Sequence, residues 1–336
     1  MKEKFINVHI FLRKPRKFEN HSLEKMFKTV IKKKDDRLRF KLLICPFISS
    51  GFLKRLFNSL WAFFNQGDVN HITGDVNFIS IFLKKEKTIN TFPDCYNLRK
   101  FSGIKKMIFK FFWFYLPIKN SRYITTISQF SKTELNTFVK VKKKIFVIPA
   151  FLPDIKYKLK RSIKRNKILI IGTTENKNID RILDTIKDLE EEIIIVGKIS
   201  NKQKNFLKKN KIIYNSYINV SDKKLINIYN QGKILLFPSL YEGFGLPIIE
   251  AQRLEVPVIT SNISPMKEIA NNTALLVNPK NIREIKQKIL KLNNNKKLLK
   301  DVVKKGYINS LRFKPSLPRN EYFNLYKKIY DNNHIN

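Results

Sequence analysis

Three observations predict an α/β protein with two Rossmann-like, doubly wound domains facing a cleft. Short apolar runs alternate with amphipathic, helix-length stretches along nearly the whole chain. The alternation breaks once, at a proline-bearing basic run after Ile148. Finally, 336 residues are enough for two cores of ordinary size. The expected division is 1–155, 156–310 and a terminal helix over 311–336.

In the first domain, Phe5 to Leu12 is strand-like, and the opening segment reads as a first strand rather than a signal peptide, its apolar stretch being interrupted by Asn7 and His9. Ser22 to Lys33 carries Leu23, Met26, Phe27, Val30 and Ile31 at helical spacing. Strands are expected at Phe40–Ile44, Val69–Ile72, Thr88–Phe92, Tyr123–Ile127 and Ile145–Ile148, with a helix over Ile104–Tyr115. Ser131 and Glu134 have the spacing of a capping box opening the next helix. Pro149, Pro153 and the polar run to Asn166 form the linker. In the second domain, strands are expected at Lys167–Ile171, Ile193–Val196, Ile212–Tyr214, Ile234–Phe237, Pro257–Thr260 and Ala274–Val277, and helices at Ile179–Leu189, Asp222–Tyr229 and Ile282–Leu292. Open sheets of this kind bind ligands beyond the carboxyl ends of their strands.

The 67 Lys and Arg residues against 27 Asp and Glu give a net charge of +40. The lysines are scattered through every segment rather than gathered in a stripe, which argues against a nucleic-acid partner. The charge still favours peripheral contact with an anionic membrane. Two aromatic stretches suit such contact: Phe52 to Phe64, and Met107 to Ile118 with Lys105, Lys106, Lys110 and Lys119 around it. The competing explanation is a pair of helices half-buried against a sheet. Cys45 and Cys95 lack metal-ligand spacing and suggest a reducing compartment, so the expected location is cytoplasmic, at the inner face of the membrane.

The chemistry concentrates between Lys233 and Ser261. A buried strand, Ile234–Phe237, runs into Pro238 and Ser239, then into a loop with Glu242, Gly243, Phe244, Gly245 and Leu246, then into a helix whose first turn holds Pro247. Strand, glycine loop and helix N-terminus in that order favour a phosphate. Glu242 and Glu250 would repel a bare anion, but ionised carboxylates accept from sugar hydroxyls. A nucleoside diphosphate sugar supplies both groups.

Glu242 and Glu250, with seven residues between them in the string PSLYEGFGLPIIEA, resemble the paired-glutamate motif of the retaining family-four glycosyltransferases, which have the GT-B fold. The resemblance implies that Glu242 lies by the donor hexose, that Glu250 holds the ribose hydroxyls, and that the amides of Gly243 to Leu246 serve hexose and diphosphate. The loop from Gly172 resembles the family's phosphate clamp, with Lys177 matching its lysine and Gly172 and Thr173 lining it. Relatives often place an arginine in this loop, where Thr173 and Asn176 stand here. In the first domain the resemblance extends to Val69–Phe78 and Thr125–Leu135, which makes His71, Asp75 and Ser128 candidates for contact with donor or acceptor. Relatives usually have His-Asp where this chain has Pro93 and Asp94, a departure that bears on the donor sugar and the level of activity. Glu255 and Asn271-Asn272 are lesser departures.

The expected activity is transfer of a hexose, with retention, from a UDP- or GDP-sugar to a glycan or lipid-linked acceptor in surface polysaccharide (O-antigen-like) synthesis. The donor is a substrate, and no cofactor or metal is expected. Catalysis would rest on Glu242 and Lys177 by electrostatic stabilisation and positioning. The alternatives are a non-catalytic nucleotide-sugar or glycan binder and a nucleotide-sugar epimerase.

Overall fold

The computed structural model describes residues 5–15, 22–155, 157–160 and 162–334. The first four residues of the expected opening segment, and Lys156 and Arg161 of the expected linker, lie outside them. The chain forms two compact units, Met1–Pro153 with Pro315–Asn336, and Asp154–Lys314.

The first unit holds strands β1 (Ile6–Leu12), β2 (Leu38–Ile44), β3 (Val69–Ile72), β4 (Thr88–Phe92), β5 (Tyr123–Thr126) and β6 (Ile145–Val147), in the order β2-β1-β3-β4-β5-β6. The second holds β7 (Lys167–Ile171), β8 (Glu192–Val196), β9 (Tyr214–Tyr217), β10 (Gly232–Phe237), β11 (Val258–Ser261) and β12 (Leu275–Val277), in the order β12-β11-β10-β7-β8-β9. Every strand pairing is parallel, so each strand is followed by a crossover that covers a sheet face. The second sheet reverses direction between β7 and β10, the topological switch point of a Rossmann-type sheet.

Residue spacing explains the second core. Ile168 and Ile170 of β7 and Ile193 and Ile195 of β8 face the same side at period two. Helix Ile179–Ile186 meets them with Ile179, Ile182, Leu183 and Ile186, the i, i+3, i+4, i+7 stripe of a half-buried helix. Each such side chain, fully buried, contributes roughly 2 kcal/mol.

The first unit is closed by the last helix, Ser316–Asp331, whose Tyr322, Tyr326 and Ile329 are wholly buried. Phe40 of β2 stacks on Phe323 at 5.3 Å, Lys327 donates to Asp35 at 2.8 Å, and Arg37 pairs with Asp331 at 2.9 Å.

Three local expectations need correction. Helix Gln129–Val139 opens three residues earlier than the capping-box spacing implied: Ser128 is the N-cap, accepting from the Ser131 amide at 3.0 Å. Ser131 donates instead to the Pro93 carbonyl, and Glu134 pairs with Arg99. Strand β9 starts at Tyr214, because Lys211 takes a left-handed conformation (φ 52°) and Ile212 and Ile213 are its lead-in. Helix Asn201–Lys209, opened by a Ser200–Gln203 capping box, and helix Lys296–Ser310 are additional elements.

Candidate active site

Two loops meet at the switch point. Gly172 leaves β7 at φ +91°, its amide donating to the Val196 carbonyl at 2.8 Å. The side chain of Lys177 lies directly over it: a Cβ on Gly172 would stand 3.0 Å from Lys177 Cε. Asn178 follows in a left-handed conformation (φ 62°) and its buried side-chain amide donates to the carbonyls of Pro238 at 3.0 Å and Pro279 at 2.6 Å. This anchors the loop to the end of β10.

The loop after β10 is laced to the first. Asn176 Nδ2 donates to the Tyr241 carbonyl at 2.9 Å, and the Leu240 amide donates to the Asn176 carbonyl at 2.7 Å. Between these bonds Lys177 Nζ donates to Glu242 Oε1 at 2.5 Å, both side chains being largely buried. The ammonium also sits 5.0 Å from the centre of the Phe237 ring. An ammonium has three N–H donors, so a lysine held this way retains capacity for an anion.

Helix Leu246–Arg253 begins after Gly245, whose φ of +110° suits only glycine, with Pro247 in its first turn. Glu250 lies one turn in, and the fully buried Tyr229 donates its hydroxyl to Glu250 Oε2 at 2.8 Å. Burial and the neighbouring Glu250 carboxylate both push the Tyr229 phenol well above its ordinary pKa, so it remains a donor. Phe244 is buried edge-on against Phe313 at 5.7 Å. The Thr173 hydroxyl donates to the Lys198 carbonyl at 2.7 Å, close beside Gly197. Gly243 is half-buried in the loop and Leu246 half-buried at the first position of the helix. The second unit therefore brings Gly172, Lys177, Glu242 and the Gly243–Leu246 segment together, with Glu250 fixed one helical turn beyond.

The first-unit candidates have different settings. His71 is wholly buried, with Nδ1 hydrogen-bonded to the Tyr326 hydroxyl at 2.8 Å and Nε2 to Thr91 Oγ1 at 2.7 Å. Burial pushes its pKa down to about 3. In this setting His71 ties the last helix to β3 and β4. Ser128 is buried as the N-cap already described. Asp94 accepts from the Tyr96 amide at 2.9 Å and lines a cavity of about 240 Å³ with Arg13, Glu24, Asp75, Asn97 and Trp113. Arg13 bridges Glu24 and Asp75 there, at 2.7 Å each. Pro93 packs on Gly74, where a Cβ would approach Pro93 Cδ to 2.8 Å, so the two residues are matched in shape.

Sequence reading assigned no role to Tyr229, Asn178 and Arg13, and named Asn176 only as standing where relatives often place an arginine. Asn178 alone carried a local signal, since asparagine tolerates the left-handed conformation ahead of a helix. The other three act through contacts distant in sequence. Among the described residues no cluster of three His, Cys, Asp or Glu side chains has metal-ligand geometry.

Residues 153–308 match the family model of the glycosyl transferases group 1. The chain is 28% identical over 211 residues to an uncharacterized glycosyltransferase of Methanocaldococcus jannaschii, covering 60% of this chain and 58% of that one. It is 28% identical over 214 residues to the O-antigen chain mannosyltransferase RfbU of Salmonella typhimurium, covering 57% and 60%. The matched region thus spans about three fifths of these relatives' lengths. The crystal structure of Anabaena HepE in complex with UDP and glucose superposes with a TM-score of 0.73 at 12% identity, over 96% of this chain and 100% of that one. The match to the group 1 glycosyltransferases therefore lies in the second unit, and the chain has the GT-B fold.

Proposed function

We propose that the protein is a retaining glycosyltransferase. It moves a hexose from a UDP- or GDP-sugar to a glycan or lipid-linked acceptor in surface polysaccharide synthesis, working at the cytoplasmic face of a membrane. The observation that carries this reading is the Lys177–Glu242 pair seated on Gly172 at the switch point, with the Tyr229-held Glu250 one turn into the adjoining helix. The mannosyltransferase among its relatives and the sugar and UDP in the Anabaena structure support the substrate class.

In this reading Lys177 and the amides of the Gly172–Thr173 and Gly243–Leu246 segments bind the diphosphate. Glu250 accepts from the ribose hydroxyls, and Glu242 both positions Lys177 and accepts from a hexose hydroxyl. The bond from the anomeric carbon to the phosphate oxygen breaks as the bond to the acceptor oxygen forms on the same face. The acceptor's proton passes to the leaving diphosphate. Lys177 offsets the charge that develops on that diphosphate, and the reaction is assigned no metal.

Ligand-observed NMR with UDP, GDP and their sugar conjugates, on the wild type and Glu250→Ala, tests the reading. Expected are selective binding of one nucleotide series, at least about tenfold weaker binding by the variant, and slow release of the donor sugar. Absence of nucleotide binding by the wild type overturns it.

A further inference from the structure

Helix Phe52–Phe64 in the first unit turns most of its large apolar side chains outward. Its buried residues are Asn58, Ser59 and Ala62, Trp61 packs edge-on against the buried Phe11 at 5.9 Å, and the Asn58 side chain bonds both the amide and the carbonyl of Phe47, at 3.0 and 2.9 Å. Its outward stripe is Leu53, Phe57, Leu60 and Phe64, at i, i+4, i+7 and i+11, with Phe64 79% exposed. The helical stretch from Gly103 to Tyr115 repeats the spacing with Ile104, Ile108, Phe111 and Tyr115, and Ile104 is 76% exposed. The two stretches adjoin: the Arg55 guanidinium lies 4.7 Å over the Trp113 ring, and Phe82, on the segment between them, is itself exposed. So large an apolar surface is rare on a chain that meets only water.

The charge around it is of one sign. No carboxylate occurs from Arg37 to Gly67 or from Cys95 to Thr133, whereas Lys54, Lys105, Lys106 and Lys110 interleave with the apolar stripes. A second copy docking face to face would bring these cations together without a carboxylate on either stretch to pair them. Leu53, Leu60, Ile104 and Ile108 interrupt the outward rings, so the stripes form no continuous platform for stacked bases, which argues against a single-stranded nucleic acid. Hydrocarbon beneath a layer of anionic headgroups satisfies both properties.

We propose that this face of the first unit lies in the interface of an anionic bilayer, with both helical stretches parallel to the membrane plane. Leu53, Phe57, Phe64, Ile104 and Ile108 enter the acyl boundary, and the lysines engage headgroup phosphates. This specifies the membrane contact of the reading above, but stands on an observation independent of the donor site. No helix among the described residues is long and apolar enough to cross a membrane, so the attachment is peripheral at this face.

Flotation of the full chain with phosphatidylcholine vesicles, with and without phosphatidylglycerol, tests the proposal. Binding is expected to the anionic vesicles, at least about tenfold stronger than to the neutral ones. The double variant Phe57→Ser/Phe64→Ser and, separately, Ile104→Ser/Ile108→Ser are each expected to lose about tenfold or more. These side chains are exposed, so the circular dichroism and the UDP or GDP binding of the wild type should persist; retained nucleotide binding separates failure of this inference from failure of the transferase reading. Equal binding by wild type and variants overturns the proposal, as does absence of binding to anionic vesicles. Concentration-dependent dimerisation abolished by the serine variants would assign the face to a second copy and also overturn it.

Discussion

Lys177 Nζ donates to Glu242 Oε1 at 2.5 Å, joining the loop after β7 to the loop after β10. In the proposed transferase the two partners differ in what they do to a diphosphate, so their removal affects binding differently. Lys177→Ala deletes the cation and is expected to weaken nucleoside diphosphate binding by at least about tenfold and transfer by about 10²-fold to 10³-fold. Glu242→Gln deletes a carboxylate that repels the anion, so binding stays equal or tightens while transfer falls by about 10²-fold. Removing one partner of a buried pair also costs about 3 kcal/mol of stability, so thermal melts accompany calorimetric titration with UDP and GDP. Equal loss of binding in both variants would refute the separate roles.

Tyr229 acts through Glu250 and is a positioning residue. Tyr229→Phe removes one hydroxyl from a wholly buried side chain and leaves Glu250 without that donor. A stability loss of about 1 kcal/mol is expected from the hydrogen bond alone. If Glu250 reads the ribose, the variant also raises the donor KM several-fold with kcat little changed, and it narrows the preference of the wild type for ribose over 2′-deoxyribose donors. A merely structural Tyr229 would leave that preference untouched. Competition between UDP and 2′-deoxy-UDP, measured on both proteins, decides the matter.

The alternation of apolar runs places eleven of the twelve strands among the described residues, because parallel strands buried on both faces are near-continuous Ile, Leu and Val, as in KILII of β7 and EIIIV of β8; the half-exposed YNSY of β9 lacks such a run and is met only at Tyr214. The candidate site was legible where function and local backbone demands coincide. Gly172 and Gly245 need positive φ, and Lys177, Glu242 and Glu250 sit at fixed offsets from them. Tyr229 and Arg13 were not legible, since each meets its partner through packing between distant elements. Helix Phe52–Phe64 could be recognised as a helix, but which of its faces turns inward depends on Asn58 finding the Phe47 backbone.

The partners of His71 are likewise distant in sequence. A histidine after a strand, bracketed with Asp75 about a glycine, suggests a ligand contact, yet Tyr326 arrives from the far end of the sequence and Thr91 from the next strand to occupy both ring nitrogens. With the ring fully buried and its pKa pushed down from 6.5 to about 3, the folded state binds the proton less tightly than the unfolded chain does. Between those values the unfolded state holds more protons, so this contribution to stability is present at neutral pH and is lost as pH falls below 6.5. By pH 5 the expected loss is about 2 kcal/mol. In His71→Gln, stability at pH 7 drops by about 1–3 kcal/mol from the disturbed network, and the loss between pH 7 and 5 shrinks by about 2 kcal/mol relative to the wild type. Urea unfolding at the two pH values measures this difference, and NMR of the wild-type His71 ring should show no titration across the same range. A ring that titrates near its ordinary value would mean that solvent reaches His71, and would return it to the candidates for ligand contact.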